Sequence, residues 1–323
     1  MKVLVTGATG FIGSRLCRKL SEKDCAVTAL VLPGEGVDHI AGDVTEFRYG
    51  DLTVPESLHG IGKGVDIVFH LAARVTDWGR RHLFYDAILG GTRSLLEECA
   101  GDVSRFVYVS SMAACGLGRH LKGFDEDDEP RKSGVPYNDA KLDAERLVGS
   151  YRETRGLSCT IVRPANVIGP GSVWVRDIIE RYRTGIVPLI DGGRHSASLL
   201  YVDNLIDGLY RSGTMDAADG RTYFFRDDWD VTWKRYVEDL GAMIGKKPLG
   251  SVPFPLAWSL GYLLEMLLSP LNIRPPVTRL AAGVMGRDND VRTARAADEL
   301  GWRTMVSYDE AMTTIGRWVR EEM

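Results

Sequence analysis

The sequence has 323 residues, which at about 150 residues per domain predicts roughly two domains or lobes with a sizeable core. Its 40 basic and 44 acidic residues leave a net charge of −4, with 26% charged and 44% hydrophobic residues. This composition excludes strong disorder and collagen-like repeats. The slight acidity argues against nucleic acid as a partner, because phosphate neutralisation supplies most of such a protein's affinity.

The first half of the chain alternates short β-branched runs with helical patterns, which is typical of βαβ units around a parallel sheet. Strands are predicted at Val3–Val5, Ala26–Leu32, Asp66–Leu71, Arg105–Val109 and Cys159–Val162. Helices are predicted at Phe11–Leu20, Gly91–Ala100 and Tyr137–Tyr151. Because the strands are continuously apolar, we expect helices on both faces, hence a doubly wound parallel α/β sheet.

The composition changes after Pro164, where Gly and Pro recur and irregular connections separate the helical stretches. We therefore predict a smaller, mixed lobe over residues 166–323, from which residues 195–240 return in part to the sheet. The acidic loop Phe124–Pro136 is predicted to be mobile and exposed, and an Ala-rich helix is predicted at Thr293–Leu300.

The region Pro253–Leu268 raises the question of a membrane, because it is rich in Trp, Tyr and Leu. It is shorter than the ~20 apolar residues that a transmembrane helix needs, and it carries Glu265. We therefore expect no transmembrane span, while peripheral contact with a membrane stays open. The apolar start Val3–Val5 is too short for a signal peptide, so none is expected.

The five cysteines show neither CxxC spacing nor a histidine cluster. They indicate reduced thiols in the cytoplasm and no metal site. The histidines also lack ligand spacing, and we assign structural or surface roles to His70, His82, His120 and His195.

Three glycines, Gly7, Gly10 and Gly13, stand at i, i+3 and i+6 between the first strand and the first helix. Without Cβ atoms, the backbone can turn tightly and approach a pyrophosphate at the positive end of the helix. The spacing alone is a weak signal. Its position after a chain-opening strand nevertheless predicts that residues 1–165 form a dinucleotide-binding domain.

Tyr137 and Lys141 lie four residues apart, hence on one face of a predicted helix. A positive charge ~4 Å from a phenolate is worth about 4 kcal/mol at an effective dielectric near 20. We therefore expect Lys141 to lower the pKa of Tyr137 from about 10 towards 7, where tyrosine can act as a general acid or base.

Ser110 and Ser111 follow the predicted strand Arg105–Val109, and so lie at the carboxyl edge of the sheet, where α/β folds place ligands. Taken alone, the pair is better explained as the end of a strand or the cap of a turn.

In this order, the glycine turn, Ser111 and the Tyr-x-x-x-Lys segment resemble the extended short-chain dehydrogenase/reductases, also called NAD-dependent epimerases/dehydratases. The resemblance runs over nearly the whole chain. It includes Gly50–Leu52, His70–Ala73, Gly91-Thr92, Arg163-Pro164, Gly169–Gly171, Tyr201–Asn204 and Glu299–Trp302. It implies a Rossmann sheet with a smaller substrate lobe and NAD or NADP as cofactor.

The resemblance also assigns roles to residues. Ser111 would hydrogen-bond the substrate oxygen, Tyr137 would exchange its proton, and Lys141 would bind the nicotinamide ribose. The implied dinucleotide contacts are Gly7, Gly10, Phe11, Ile12, Gly13, Asp51, Leu52, Leu71, Ala72, Ala73, Tyr137, Lys141 and Pro164. Family members commonly pair through the helices Gly91–Ala100 and Tyr137–Tyr151, so a homodimer is implied as well.

Two departures from the family pattern bear on the cofactor and on proton transfer. Where the family places an Asp for NAD, or a nearby Arg for NADP, this chain has Val31 and Leu32. Because a 2′-phosphate would lack a basic partner, we expect NAD rather than NADP. The Asn often found before Gly-Thr is replaced around Ile88–Gly90, which puts an Asn-based proton relay in question.

Several segments are similar to the 3β-hydroxysteroid dehydrogenase-like branch, whose substrates are bulky apolar alcohols or ketones. They are Asp77–Gly79, Asn204, Pro275-Pro276 with Thr278-Arg279, and Pro253–Leu268. This implies hydride transfer between nicotinamide and a sterol-like or long-chain 3-hydroxy/3-keto compound. The candidate substrate contacts are Ser111, Asn166, Trp174 and Trp258, of which the tryptophans are better explained as core.

Two other functions stay open. Asn166 and Arg287 would suit a nucleotide-sugar epimerase or dehydratase, but Ala197 stands where such enzymes carry an Arg that binds the diphosphate. The other alternative is a non-catalytic dinucleotide sensor. The presence of Ser111, Tyr137 and Lys141 together argues against it, because such sensors often lose the tyrosine or the lysine.

Overall fold

The computed structural model describes all residues from Met1 to Met323. The strands are β1 Lys2–Thr6, β2 Ala26–Val31, β3 Glu46–Tyr49, β4 Ile67–His70, β5 Arg105–Val109, β6 Cys159–Pro164, β7 Asn166–Ile168, β8 Leu189–Ile190, β9 Leu199–Tyr201, β10 Thr222–Phe225 and β11 Ser251–Val252. The helices are α1 Phe11–Ser21, α2 Arg81–Phe84, α3 Gly91–Cys99, α4 Pro136–Arg155, α5 Val173–Thr184, α6 Val202–Thr214, α7 Trp233–Ala242, α8 Phe254–Leu268, α9 Arg279–Met285, α10 Ala294–Leu300 and α11 Tyr308–Glu322. A π-helical turn, Tyr85–Gly90, joins α2 to α3, and a 3₁₀ turn, Ser269–Leu271, extends α8.

Seven strands form one parallel sheet in the order β10-β6-β5-β4-β1-β2-β3, with helices on both faces, which confirms the predicted fold. The strand order reverses at β1, which pairs with β2 on one side and with β4 on the other. In such sheets, ligands bind outside the carboxyl ends of the strands at the point of reversal. The fold therefore places the candidate site between β1 and β4.

Two strands of this sheet were not predicted with bounds of their own, although β10 falls within residues 195–240, which were expected to return in part to the sheet. β3 lies at the edge, and its charged, mostly exposed side chains give no apolar signal. β10 is apolar and buried but lies beyond residue 165, and it pairs with β6 in the main sheet. The division of the chain near residue 165 itself stays a prediction.

The C-terminal part of the chain has a separate core. Trp233 and Tyr236 of α7 are fully buried there, and they cluster with Ile179 of α5 and Ile315 of α11. Two short strand pairs, β7 with β9 and β8 with β11, lie outside the main sheet, and β7 follows β6 directly in the chain.

The loop Phe124–Pro136 is exposed only in its middle, so the prediction of an exposed loop is wrong for its ends. Val135 is buried, and the carboxylate of Glu126 accepts the Phe224 N–H at 2.9 Å. This bond fastens the loop to β10, because a backbone N–H at the edge of the sheet needs an acceptor.

Helix α6 lies close to the sheet because it carries glycines where its backbone meets aromatic rings. A Cβ atom at Gly208 would come within 2.6 Å of the Phe225 ring, and a Cβ atom at Gly213 would overlap the buried ring of Phe69. The side chain of any other residue would push the helix away from the sheet.

We predict that Gly213→Ala lowers the free energy of unfolding by about 1–3 kcal/mol, because the buried Phe69 ring has no room to move. Denaturant unfolding followed by circular dichroism measures this change. Gly316→Ala in α11 is the matched control, since its Cβ would meet only flexible side-chain ends at 3.5 Å and 3.6 Å. The free energy of unfolding of the control should rise by about 0.5–1 kcal/mol. Equal losses of stability in both variants would contradict the packing argument.

Candidate functional site

The carboxyl ends of the strands bring the residues predicted from the sequence to one edge of the sheet. Gly7 follows β1, Asp51 and Leu52 follow β3, Leu71, Ala72 and Ala73 follow β4, Ser111 follows β5, and Pro164 ends β6. Helix α4 reaches the same edge, because the Lys141 Nζ donates to the carbonyl of Val109, the last residue of β5, at 2.7 Å. The roles of these residues in binding and catalysis stay predictions.

The turn between β1 and α1 leaves backbone N–H groups free for an anion. Gly7 adopts a φ of 68°, and a Cβ atom at Gly13 would collide with the Gly7 carbonyl oxygen. No side chain caps α1, and the N–H groups of Phe11, Ile12 and Gly13 have no acceptor in the chain. Free N–H groups at the positive end of a helix attract phosphate, so this turn fits the pyrophosphate of a dinucleotide.

A chain of hydrogen bonds through Thr6 fixes the crevice between β1 and β4. The Thr6 Oγ1 accepts the Ala72 N–H at 3.1 Å and lies 2.8 Å from the His70 Nδ1, while the His70 Nε2 lies 3.0 Å from the Thr92 Oγ1. Burial, helped by the charge of Lys141, lowers the pKa of His70 to about 3. The neutral imidazole can then accept from Thr6 and donate to Thr92, which satisfies every member of the chain.

Glu35 is a residue near the site that the sequence analysis missed. It lies in the turn after β2, and its carboxylate accepts the Thr9 hydroxyl at 2.6 Å, next to the glycine turn. The family pattern places an acid where this chain has Val31 and Leu32, but the chain supplies a carboxylate from the turn that follows. The only signal available was a single acidic residue in that turn. A carboxylate here can accept ribose hydroxyls and would repel a 2′-phosphate.

Tyr137 lies in the wall of a cavity of about 350 Å³ formed by α4, the segment Thr76–Arg81 and α8. The aromatic and sulfur-containing side chains of this wall are Trp78, Phe84, Tyr137, Tyr262 and Met266. Its charged side chains are Asp77, Arg80, Arg81, Glu265 and Arg279. The cavity therefore offers an apolar surface with a few charges, next to a phenol that can move a proton.

The predicted lowering of the Tyr137 pKa by Lys141 is wrong. Burial raises the pKa of Tyr137 to about 12, and the influence that opposes burial is a hydrogen bond with Ser111. Burial also lowers the pKa of Lys141 to about 7, against the attraction of Glu145. A spacing of four residues places two Cβ atoms on one face of a helix. It does not show how far burial disfavours the charged form of each side chain, and here burial is the larger effect.

Ser111 has the capping role that the sequence left as one alternative, and its role in binding a substrate oxygen stays a prediction. Its side-chain oxygen accepts the Ala113 N–H at 3.2 Å and so caps a 3₁₀ turn, Met112–Cys115. Because the oxygen acts as the acceptor there, the hydroxyl proton remains for Tyr137 or for a substrate oxygen.

The other candidate substrate contacts do not line the cavity of Tyr137. The Asn166 Nδ2 is buried and donates to the Ala197 carbonyl at 2.7 Å, so it supports the β7–β9 pair. The ring of Trp174 packs against that of Trp233 in the C-terminal lobe, with the ring centres 5.3 Å apart and the planes tilted by 52°. Trp258 covers Gly118, at which a Cβ atom would come within 2.7 Å of the indole. These three residues have packing or backbone roles, whereas Thr76–Arg81 line the cavity.

Two histidines that we expected to be unconnected meet at one carboxylate. The Asp288 carboxylate lies 3.1 Å from the Nδ1 of His120 and 3.1 Å from the Nδ1 of His195. Ligand atoms of the three residues lie within 4.8 Å of one another, so the group could hold a metal ion. The same two distances are also those of ordinary hydrogen bonds, which would join the three segments without an ion. Sequence spacing gave no signal, because Asp288 stands 168 residues after His120.

Comparison with known proteins places the chain among nicotinamide-dependent enzymes. Residues 3–223 match the sequence model of the NAD dependent epimerase/dehydratase family. The chain is 28% identical to a 4-hydroxy-2-methyl-3-oxo-4-farnesyl-3,4-dihydroquinoline-1-oxide ketoreductase of Stigmatella aurantiaca, over 98% of this chain and 96% of the relative. It is 29% identical to a 2-alkyl-3-oxoalkanoate reductase of Stenotrophomonas maltophilia, over 97% of both chains.

Among solved structures, the complex of UDP-glucose 4-epimerase from Thermus thermophilus with NAD has a TM-score of 0.79 and covers 100% of both chains. The identity is 21%, so this likeness is one of fold. Together with the family match, it confirms the resemblance on which the sequence analysis relied.

We predict that Glu35→Gln raises kcat/KM with NADPH at least about tenfold. The same substitution should raise the KM for NADH several-fold. The substitution keeps a hydrogen-bond acceptor but removes the charge that repels a 2′-phosphate. Steady-state kinetics with both coenzymes measure the ratio. Asp38→Asn removes an exposed acid nearby and is the matched control. An unchanged coenzyme ratio in the Glu35 variant would show that this carboxylate does not contact the ribose.

We predict that the protein loses stability as the pH falls from about 6.5 towards 3, partly through His70. The unfolded imidazole binds a proton in this window and the folded one does not, which costs up to about 1.4 kcal/mol per pH unit. Denaturant unfolding at a series of pH values measures the slope. His70→Asn keeps a donor and an acceptor but cannot titrate, so its slope should be shallower. Equal slopes would contradict the neutral, buried imidazole.

Proposed function

The chain belongs to the NAD dependent epimerase/dehydratase family, and on this premise we propose that it is an NAD-dependent reductase of bulky apolar ketones. The observation that carries the proposal is Tyr137 in the wall of a cavity whose neighbouring surface is aromatic and apolar. A proton donor beside apolar surface suits a substrate that presents a carbonyl on a large hydrocarbon body.

NAD, when bound, supplies or accepts the hydride. The free N–H groups of Phe11, Ile12 and Gly13 would hold its pyrophosphate, and Glu35 would accept its ribose hydroxyls. Leu71–Ala73 would flank the nicotinamide side, and Lys141 would bind the second ribose. Positioning of this kind lowers the barrier because the reacting groups are already oriented before the reaction begins.

The chain's own residues would move the proton. The pKa of Tyr137 is about 12, so its phenol is protonated near pH 7 and can donate to an oxygen that becomes an alkoxide. The free hydroxyl proton of Ser111 would polarise the same oxygen. Oxidation would need the phenolate at Tyr137, which burial opposes.

The arginines of the cavity favour a ketone that also carries an acidic group. Arg80 has no carboxylate within 4.0 Å, and the closest carboxylate to Arg81 is that of Asp139, at 3.9 Å. Each guanidinium donates one hydrogen bond within the chain, from the Arg80 Nη2 to the Pro270 carbonyl at 2.6 Å and from the Arg81 Nη2 to the Tyr85 hydroxyl at 2.7 Å. Their other N–H groups remain for a substrate carboxylate. The relative named a 2-alkyl-3-oxoalkanoate reductase supports this substrate class, and the relative named a farnesyl-quinoline-oxide ketoreductase supports a bulky ketone. We therefore propose a long-chain 3-oxo acid as the substrate class.

A nucleotide-sugar substrate is less well supported. Arg287 donates from Nε to the Gly118 carbonyl at 3.2 Å, and its guanidinium lies 3.3 Å from the centre of the Phe254 ring. An arginine held in this way is not free to bind a diphosphate, and Ala197 supplies no replacement.

We further propose a homodimer that pairs through α3 and α4, and a cytoplasmic location. All five cysteines are free and buried, which suits a reducing compartment. Sedimentation of the purified protein as a monomer would contradict the dimer.

We predict that the purified enzyme oxidises NADH in the presence of a long-chain 3-oxo acid. Without the carboxylate, the corresponding ketone should have at least about tenfold lower kcat/KM, because one charge-assisted pair is lost. The fall in NADH absorbance measures turnover for both ketones, for a steroid ketone and for UDP-glucose. Conversion of the nucleotide sugar alone would overturn the proposed substrate class.

The variant Tyr137→Phe tests the chemistry in the same assay. We predict a fall in kcat of about 10²–10⁴, since general acid catalysis is lost. NADH affinity, measured by fluorescence titration, should stay within about twofold of wild type. Tyr262→Phe removes another phenol from the same cavity and should leave turnover near wild type. Wild-type turnover in the Tyr137 variant would show that Tyr137 is not the proton donor.

A further inference from the structure

The side chains of His120, Asp288 and His195 form a group, the His–Asp–His cluster, that backbone contacts hold in place. The N–H of the residue after His120 donates to the Asp288 carbonyl at 2.7 Å. The Ser198 hydroxyl donates to the carbonyl of the residue after Asp288, also at 2.7 Å. These bonds use no atom of the two imidazoles or of the carboxylate, so the three side chains are positioned before any ligand binds. Fixed donor atoms of this kind are what a metal site requires.

The donor atoms of the His–Asp–His cluster have the spacing of ligands on one ion. The Asp288 Oδ2 lies 3.1 Å from the His120 Nδ1, and the Asp288 Oδ1 lies 3.1 Å from the His195 Nδ1. Two atoms that bind one zinc ion at about 2.1 Å are about 3.0–3.6 Å apart when their bond angle is near the tetrahedral value. Donor atoms of all three residues lie within 4.8 Å of one another, so one ion can contact all three after small side-chain movements.

Hydrogen bonds alone leave the polar atoms around His120 in conflict. Its Nδ1 accepts the Asp288 N–H at 3.2 Å, and in that state it carries a lone pair and no proton. The contact of the same nitrogen with the Asp288 Oδ2 then joins two acceptors. If the proton lies on Nδ1 instead, the Asp288 N–H loses its partner. A cation between nitrogen and carboxylate removes the repulsion, and water can replace the nitrogen at the N–H because this contact is exposed.

His195 has a related conflict inside the protein. Its side chain is 7% exposed, and its Nε2 is buried without a hydrogen-bond partner. A neutral imidazole has one N–H and one lone pair, so a proton on Nδ1, toward Asp288, leaves the lone pair of Nε2 facing the Asp191 carboxylate at 3.6 Å. An ion bound to Nδ1 places the proton on Nε2, toward Asp191. Histidines that bind metals typically point their other N–H at a carboxylate in this way.

The surrounding charges leave Asp288 free to bind a cation. The Asp191 carboxylate lies 3.6 Å from the Arg194 Nη2 and 3.8 Å from the Arg287 Nη1, so it offsets these two arginines. No lysine or arginine nitrogen lies within 4.0 Å of the Asp288 carboxylate, whose ion-pair partners are the two histidines. The His120 side chain is 50% exposed, which gives an ion a path from solvent and leaves room for a water ligand.

We propose that the His–Asp–His cluster binds a divalent transition-metal ion of the zinc type, with His120, His195 and Asp288 as ligands. Two imidazoles, one carboxylate and a water make a four-coordinate set that suits zinc, whereas Mg²⁺ and Ca²⁺ prefer oxygen ligands. The ion joins the β5–α4 connection to the segments that follow β8 and α9, and so stabilises the folded chain.

This site is separate from the reaction that we propose for the enzyme. None of its three ligands lines the cavity that contains Tyr137. The inference therefore does not depend on the proposed reductase function. If the protein binds zinc at the cluster but reduces no ketone, the proposed function fails and the metal site stands.

Calorimetric titration of the metal-free, full-length protein with ZnCl₂ at pH 8 tests the site. We expect the wild type to bind a single zinc ion per chain. His120→Gln and His195→Gln should each bind zinc at least about tenfold more weakly, because each loses one ligand. His59→Gln is the matched control and should bind like the wild type. It removes an imidazole that is 83% exposed and lies 3.8 Å from a single carboxylate, that of Glu98.

Three outcomes of this titration would overturn the proposal. They are a wild type that takes up no zinc, His120 and His195 variants that bind it as the wild type does, and an equal loss in the His59 variant. The last would show that zinc binds surface histidines without a defined site. Circular dichroism checks that each variant is folded. If His195→Gln does not fold, His120→Gln decides the question, since its side chain is half exposed.

Protonation of both nitrogens of His195 would satisfy the same contacts without an ion, and two readouts separate the two explanations. Bound Co²⁺ should give the wild type the visible absorption bands of a four-coordinate ion, and His120→Gln should lose them. Zinc should also raise the Tm of the wild type in proportion to the logarithm of its concentration, because it binds only the folded chain. A wild type without these bands, or an equal rise of Tm in His120→Gln, would favour the proton and overturn the metal site.

Discussion

The hydrogen bonds of Thr6 hold together the place where the strand order reverses, and the rest of the site is arranged around this contact. Thr6 receives the Ala72 N–H and faces His70, so the ends of β1 and β4 cannot separate. The backbones come so close that a Cβ atom at Gly7 would lie 3.0 Å from the Ala72 nitrogen. A narrow crevice of this kind exposes the end of α1, and only glycine allows the chain to enter it.

Burial determines the chemistry of the residues above this crevice more than the charges that surround them do. It raises the pKa of Tyr137 and lowers the pKa of Lys141, although both groups stand on one face of α4. The next turn of the same face carries Glu145, which is buried. Its Oε2 lies 2.7 Å from the Nη2 of Arg163, which is buried as well. This ion pair fastens α4 to β6, because an unpaired charge at that depth would be costly. The helix that presents the phenol is therefore held at two points of the sheet edge, by Lys141 and by Glu145.

The C-terminal lobe adds a wall to this site and an unusual outer surface. Its core is closed around Trp233 and Tyr236, so the exposed leucines of α8 are not needed for its stability. One edge of α8 lines the cavity beside Tyr137, and the adjoining face is open. Apolar surface that contributes to neither core is best explained by a ligand or a surface outside the chain. The proposed substrate class follows in part from the edge of this helix that lines the cavity.

The sequence by itself determined the features that depend on local order: the alternation of strands and helices, the glycine turn at Gly7–Gly13, and the spacing of Tyr137 and Lys141 on one helix. These follow from backbone periodicity and from steric limits within a few residues. Only the tertiary structure decided that Glu35 lies beside the glycine turn, that Asp288 meets His120 and His195, and that α8 is exposed. It also decided the pKa values of Tyr137 and Lys141. Contacts between distant segments and the removal of water from a side chain depend on how elements pack, and no local pattern records either.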